Sequence, residues 1–538
     1  MKLLRSVVSL PFLFAAAVGS AHAQEEAGSD DFERQLEIYK EYLRRGPLLM
    51  HTRGRVRFAQ TMDPRALQVL ADSYAKPEVP KEQVQYLLAG IATRYCTGEE
   101  HVAIYDDWRA RHSEPKDAWL WYRALGVKRA WSGADELAAL ARGADGLFLR
   151  AAAVEALADK GDPVLLELIP GLVEAMPKKA AEKAVLVGAL ASALLSQKPS
   201  ANTPAFRTAA VAFVHLLDDQ HELLLSTKLV IARHMAALLD VDQTLIDSQA
   251  WINLLADRAR TVEYDDEYVR PSFFGLEASG SRICYVIDMS DSMCKPINPA
   301  TKPKGPDTGL KRNKGEPPTE DDIPWQRVQN RFDLAREHLR RSLQRLDKDK
   351  RFCVIFFGDR ADLVRNCTGM MPATSSNVGR VMKAIDDIEP GAPTDMRPDG
   401  TLRGMTNLHG GLRRAFQVTE KDIVKEHEYV ALETFAQGCD TIFLLSDGDP
   451  TWDDWDCKDT NYGEDPIGDP ESRKAQPDAA RLHYHGPYTD WPTLIEDVKR
   501  MNLFRAVEIN CIGIGEVQMG FLSQLARIGL GRAVNAGR

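Results

Sequence analysis

The stretch RICYVIDMSDS, residues 282–292, runs from a nearly continuous apolar segment straight into a turn of acidic and hydroxyl side chains. A run without polar alternation is how a strand covered on both faces reads. Three later segments share the pattern: RFCVIFFG (351–358), DTIFLLS (440–446) and VEINCIGIG (507–515). Between them FDLAREHLRRSLQRL (332–346), VGRVMKAIDDI (378–388), LHGGLRRAFQVTE (408–420) and TLIEDVKRM (493–501) carry helical patterning. ADLVRNCT (361–368) follows the second run after a short turn and reads as an antiparallel edge strand. The alternation predicts a doubly wound α/β domain over residues 280–538.

Upstream, residues 24–270 read as all-α. Ala/Leu-rich blocks recur at 66–75, 84–95, 147–159, 181–195, 206–219 and 227–239, with breakers such as Gly161-Asp162-Pro163 and Lys198-Pro199 between them. Consecutive helices of this kind predict a helical solenoid, with a plain bundle as the competing arrangement. The stretch LRAAAVEALADKGDPVLLELIPGLVEA resembles a HEAT-type repeat, its second helix entered through Asp162-Pro163. Histidines of this half such as His101, His112, His215, His221 and His234 do not recur at metal-ligand spacing and read as packed or surface residues.

A chain of 538 residues exceeds what one core usually supports, in keeping with two domains. With 44% hydrophobic residues it is not a disordered chain. Residues 1–23, MKLLRSVVSLPFLFAAAVGSAHA, have the charged start, apolar middle and small-x-small end of a signal peptide cleaved near Ala23/Gln24. No Cys follows that site and no later run is long enough to span a bilayer. The expected protein is periplasmic or secreted, without a membrane span. Losing Lys2 and Arg5 takes the net charge from −10 to −12, which argues against nucleic acid as main partner.

The first strand ends in Asp288-Met-Ser290-Asp-Ser292, a D-x-S-x-S loop. Gly404-Met405-Thr406-Asn407 leads into a later helix, and Ser446-Asp447-Gly448 closes the IFLLS strand. In order, strand context and spacing these segments resemble the metal-ion-dependent adhesion site of von Willebrand factor A (VWA) domains, whose core is Rossmann-like. The resemblance implies a divalent cation, Mg²⁺ first with Ca²⁺ or Mn²⁺ as alternatives. It makes Ser290 and Ser292 direct ligands and Thr406 a third hydroxyl. Asp288 and Asp447 would act through waters or hydrogen bonds. It also implies a protein partner that presents an acidic side chain to the cation. Oxygen donors suit a hard cation. Two departures stand out: Asp291 where the family often has Gly, and Met405 where a second Gly is common.

Two insertions flank this predicted site, at 294–330 and 449–490. Lys295–Lys314 carries six basic residues against Asp307, whereas residues 449–471 hold nine acids and one base, Lys458. The two loops are expected to meet above the cation, with Cys294 and Cys457 as a candidate disulfide. Cys284, Cys353 and Cys511 sit in strand-like runs and read as buried thiols. Other readings of this region are a Ca²⁺ loop built from Asp449, Asp453, Asp454 and Asp456, and a transition-metal pair at His483 and His485. His427 reads as part of a charged helix face. The chain has no G-x-S-x-G elbow, Walker A loop, H-E-x-x-H or dinucleotide-binding fingerprint. A binding protein is therefore expected. The alternatives are an envelope scaffold with a structural metal, or a metal-assisted hydrolase using Asp291 or Asp449 as base.

Overall fold

The computed structural model describes residues 30–44, 48–75, 81–143, 146–256, 270–297, 323–388, 404–455 and 486–536. The first part is helical. It runs through α1 (Asp30–Leu43), α2 (Leu48–Ala59), α3 (Pro64–Tyr74), α4 (Lys81–Tyr95), α5 (Val102–Ala110), α6 (Ala118–Trp131) and α7 (Asp135–Gly143). There follow α8 (Leu147–Ala158), α9 (Leu165–Glu174), α10 (Ala180–Ser196), α11 (Pro204–Val214), α12 (Leu225–Leu239) and α13 (Ser248–Ala256). Local chemistry sets several starts. Asp63 accepts the Arg65 amide with Pro64 at the first helical position, and Thr203 caps α11 ahead of Pro204 in the same way. Asp162 accepts the Val164 amide at 3.1 Å and pairs with Arg129, so the Asp162-Pro163 turn delivers α9 as expected.

The helices form two rows. The even-numbered helices α2 to α12 pack each on the next. In the other row α1 packs on α3, α3 on α5, α7 on α9, α9 on α11 and α11 on α13, and Arg109–Glu136 (3.4 Å) joins α5 to α7. This layout is an extended array, not a closed bundle. Three of its histidines have near neighbours in the chain as partners: His101 Nδ1 accepts the Gly98 amide, His215 pairs with Asp218, and His234 bonds the Val230 carbonyl from within α12.

The second part opens with a hairpin, β1 (Ser272–Phe273) and β2 (Leu276–Glu277). A seven-stranded sheet follows: β3 (Arg282–Asp288), β4 (Arg351–Phe357), β5 (Ala361–Leu363), β6 (Met371–Pro372), β7 (Thr441–Ser446), β8 (Glu508–Ile514) and β9 (Ala533–Ala536). Its helices are α14 (Arg331–Arg345), α15 (Ser375–Asp386), α16 (Leu408–Gln417), α17 (Leu432–Gln437), α18 (Trp491–Asn502) and α19 (Met519–Ile528). The order is β5-β4-β3-β7-β8-β9, with β6 also on β4. β3, β4, β7, β8 and β9 run parallel, while β5 and β6 are antiparallel on the outer edge of β4. The edge strand expected at 361–368 is thus present but ends at Leu363, and Asn366 turns the chain at φ +69°.

Helices cover both faces. Successive strand residues point to opposite sides. The Tyr285 hydroxyl lies 2.7 Å from Ser342 Oγ on α14, while Val286 lies under α16. A Cβ at Gly411 would come within 2.8 Å of Phe357 and 2.9 Å of Val286, so α16 seats directly on the sheet. Cys284, Cys353 and Cys511 are fully buried in strands, as expected of structural thiols.

The even row of helices faces the α/β part. Tyr429, Val430, Phe435 and Phe504 belong to the same apolar core as the helical array. Arg500 of α18 lies 4.0 Å from the Tyr86 ring centroid and pairs with Glu428 (2.8 Å) and Asp497 (2.7 Å). Asp497 also receives His409 Nε2 at 2.8 Å. Burial acts to raise the Asp497 carboxyl, but Arg500 and His409 outweigh it and hold it below the usual carboxylate range. His427 is not on a helix: it sits in a turn at φ +54° and meets the Tyr86 hydroxyl at 2.8 Å. The positive φ ends any helical path through Lys425–Tyr429.

Candidate metal centre

Parallel pairing brings the sequence-distant parts of the site together. β3 and β7 are neighbours, with Ile287 opposite Leu445, so their carboxyl ends lie side by side. From β3 the chain order runs to β4 and β5 on one side and resumes at β7, β8 and β9 on the other. The carboxyl ends at such a reversal form a crevice that ligands occupy.

Asp288, the last residue of β3, is fully buried. Its Oδ1 accepts the Ser290 amide at 2.8 Å, which folds the turn back over the strand end, and its Oδ2 accepts the Ser446 hydroxyl at 2.7 Å. The Ser290 and Ser292 hydroxyls lie 2.9 Å apart, and Ser292 donates to Asp447 Oδ1 at 2.6 Å. Four of the five predicted residues therefore join in one hydrogen-bonded chain. The fifth, Thr406, comes close without bonding to it. A Cβ on Gly448 would lie 3.9 Å from Thr406 Oγ1 and 4.0 Å from Ser292 Oγ, so both hydroxyls flank the same point.

The Thr406 loop is held by residues that sequence patterning does not single out. The Thr406 amide donates to Thr451 Oγ1 (3.0 Å) and the Thr451 amide returns to the Thr406 carbonyl (3.1 Å). Asp359 Oδ1 accepts the Met405 amide at 2.7 Å. Gly404 is at φ +82°, and a Cβ there would collide with the Asp359 carboxylate, so glycine is required on both counts. Asp291 exchanges backbone and side-chain bonds with Gly404 (3.1 and 3.0 Å). Its acid hooks the two loops together. Asn407 caps α16 through the Gly410 amide and donates to Asp454 at 2.8 Å.

Burial, and the nearby charge of Asp447, push the Asp288 carboxyl up to about 7. Asp447 has a cationic partner: Arg331, the first residue of α14, donates Nη1 to its Oδ2 at 2.7 Å. Two buried carboxylates and three hydroxyls converging on one crevice form a donor set that fits a hard cation. The carriers are Asp288, Ser290, Ser292, Thr406 and Asp447. The hydroxyls are essential to that fit, because no group of three or more His, Cys, Asp or Glu among the described residues is placed to hold a metal ion by itself.

The acids after Asp447 scatter. Asp453 is fully buried and accepts the Trp455 and Tyr488 amides, both at 2.9 Å, clamping the two ends of the insertion. Asp454 takes Asn407 and Arg414. Asp453 and Asp454 are thus engaged elsewhere, while Asp449 shares none of these partners. Asp456, Cys457, the bulk of both insertions, and His483 and His485 lie outside the described residues, as does the predicted signal peptide. The Cys294–Cys457 pairing and the meeting of the two charged loops therefore fall there too. No helix among the described residues is long and apolar enough to cross a membrane. No protein-family model matches the chain, and no curated protein matches it.

Proposed function

We propose that this is an exported VWA-type protein that captures a partner's carboxylate through a divalent cation, Mg²⁺ first, with a HEAT-like array as its second domain. The observation that carries the reading is the hydrogen-bonded chain Asp288–Ser446 and Ser290–Ser292–Asp447, with Thr406 beside it at the β3/β7 crevice. A bound cation would supply a positive coordination position, because neutral hydroxyls compensate little of its charge. The protein's own part is orientation. Asp288 fixes the Ser290 amide, Asp447 fixes Ser292, and Thr451 with Asp359 fixes the Thr406 loop.

Isothermal calorimetry of the mature chain with MgCl₂ tests the reading. One binding event is expected, lost in Ser290→Ala/Ser292→Ala while the melting midpoint holds. Retention of a partner from an envelope extract should follow the same pattern in Mg²⁺ against EDTA. Absence of any Mg²⁺, Mn²⁺ or Ca²⁺ heat would sink the proposal. It would favour a second reading, a metal-free envelope scaffold, which the Arg331–Asp447 pair supports by neutralising one carboxylate within the chain.

A further inference from the structure

A cleft of about 1290 Å³ lies between the two domains, walled by α1, α2 and α4 on one side and by α18 with the segment after β7 on the other. It exceeds the ~300–1,000 Å³ of ordinary small-molecule sites. Its two walls differ in what they leave open. On the helical wall stand Arg53 and Arg57, successive turns of α2. Among the described residues Arg57 makes no hydrogen bond or ion pair, and Arg53 reaches only Met50 Sδ at 4.0 Å. Thr52, one residue before Arg53, is buried and its hydroxyl has no hydrogen-bond partner. On the opposite wall the charges of α18 are taken. Asp490 caps α18 through Thr493 (3.1 Å), and Glu496 pairs with Lys499 (3.0 Å) and Arg123 (3.4 Å). Asp449 apart, the unused capacity of the cleft is therefore that of hydrogen-bond donors carrying positive charge, suited to carboxylates.

The cleft also adjoins the centre described above. Asp449 lines it and lies two residues beyond Asp447, so their Cα atoms are at most ~7.6 Å apart. We propose that this cleft takes an acidic polypeptide segment, whose carboxylates meet Arg53 and Arg57 while a further acid reaches the cation centre. The last clause rests on the cation-dependent capture proposed above, whereas the arginine contacts do not. A polypeptide suits the cleft better than a nucleic-acid strand, since Asp449 faces the cleft without a cationic partner among the described residues, and single acidic side chains can turn away from it where backbone phosphates cannot.

The test uses the full mature chain, fluorescein-labelled decaglutamate and anisotropy in Mg²⁺. Binding is expected to weaken at least tenfold in Arg53→Glu/Arg57→Glu, with the Mg²⁺ heat and the melting midpoint unchanged. Arg57→Glu alone should give part of the loss. Decaglutamate affinity indifferent to these substitutions overturns the proposal, as does equal affinity for decalysine. Equal affinity for decathymidylate overturns the commitment to polypeptide. Binding that emerges only after deletion of residues 456–471 assigns the cleft to the chain's own acidic segment and likewise overturns the partner. The two readings fail separately. Decaglutamate binding that needs the arginines in a chain without Mg²⁺ heat removes the cation and keeps the cleft. Mg²⁺ heat with arginine-independent peptide binding does the reverse.

Discussion

Arg331 sets the charge of the proposed centre. Its guanidinium lies 2.7 Å from Asp447 and is only 11% exposed, with Gly515 leaving it room: a Cβ there would lie 2.5 Å from Nη2. With Asp288 ionised, the two carboxylates and this guanidinium sum to a single negative charge. A divalent cation would turn the crevice net positive, the sign that attracts a partner's acid. Arg331→Gln keeps a donor and removes the charge. It should tighten Mg²⁺ binding about tenfold, ~1.4 kcal/mol, and weaken capture of an acidic partner. Calorimetry checks the first effect, and an unchanged or weaker Mg²⁺ affinity refutes it. The residues quoted from the sequence were legible because each lies at or just after a strand end, or just before a helix. Arg331, Asp359 and Thr451 were not. They act across 116, 46 and 45 residues of chain, onto Asp447, Met405 and Thr406 respectively, and no local spacing records such a contact.

At the scale of elements, burial explains what patterning caught. β3, β4, β7 and β8 are buried along nearly their whole length and were read to within a residue or two. β9 is half-buried at the sheet edge and β6 has two residues, so neither leaves an apolar run. α16 stops at Gln417, short of the expected Glu420, because Val418 turns to bridge Ile423. Two helices carry a hidden acid sensitivity. Burial lowers His234 of α12 to about 4, aided by Arg233. Burial likewise lowers His338 of α14 to about 3, aided by Arg341, with its ring stacked 3.6 Å from Phe274. Both are neutral when folded and protonate near 6.5 when unfolded. Their contribution to stability is thus complete above about pH 6.5 and is lost as the pH falls toward 4 and 3. At pH 5 each should cost about 2 kcal/mol. Urea midpoints at pH 7 and pH 5 should differ accordingly, and His234→Gln should reduce the difference. An undiminished difference in that variant removes His234 from the account.

At the scale of the molecule, the sequence reads as two domains, and nothing in it ties the helical array to the second. Yet much of its even row is spent on the α/β domain. That contact was illegible because it is made by residues that look ordinary in isolation. Gly188 is the sharpest case. It sits mid-helix in α10, where a glycine weakens the helix by about 1 kcal/mol against alanine. A Cβ at 188 would collide with the Phe504 carbonyl, which belongs to the turn after α18. Phe504 in turn packs on Phe148 of α8 and on Tyr429, so it has little freedom to retreat. The two effects of Gly188→Ala oppose each other, and their magnitudes decide the sign. Helix propensity alone would raise the melting midpoint. Overpacking against fixed backbone costs about 1–3 kcal/mol and should win over a gain of about 1 kcal/mol, giving a net loss of up to about 2 kcal/mol. Calorimetry should show a lower midpoint, with the helical and α/β transitions drawn apart as the shared core loosens. A midpoint that rises in Gly188→Ala would mean that α10 does not seat on the Phe504 carbonyl.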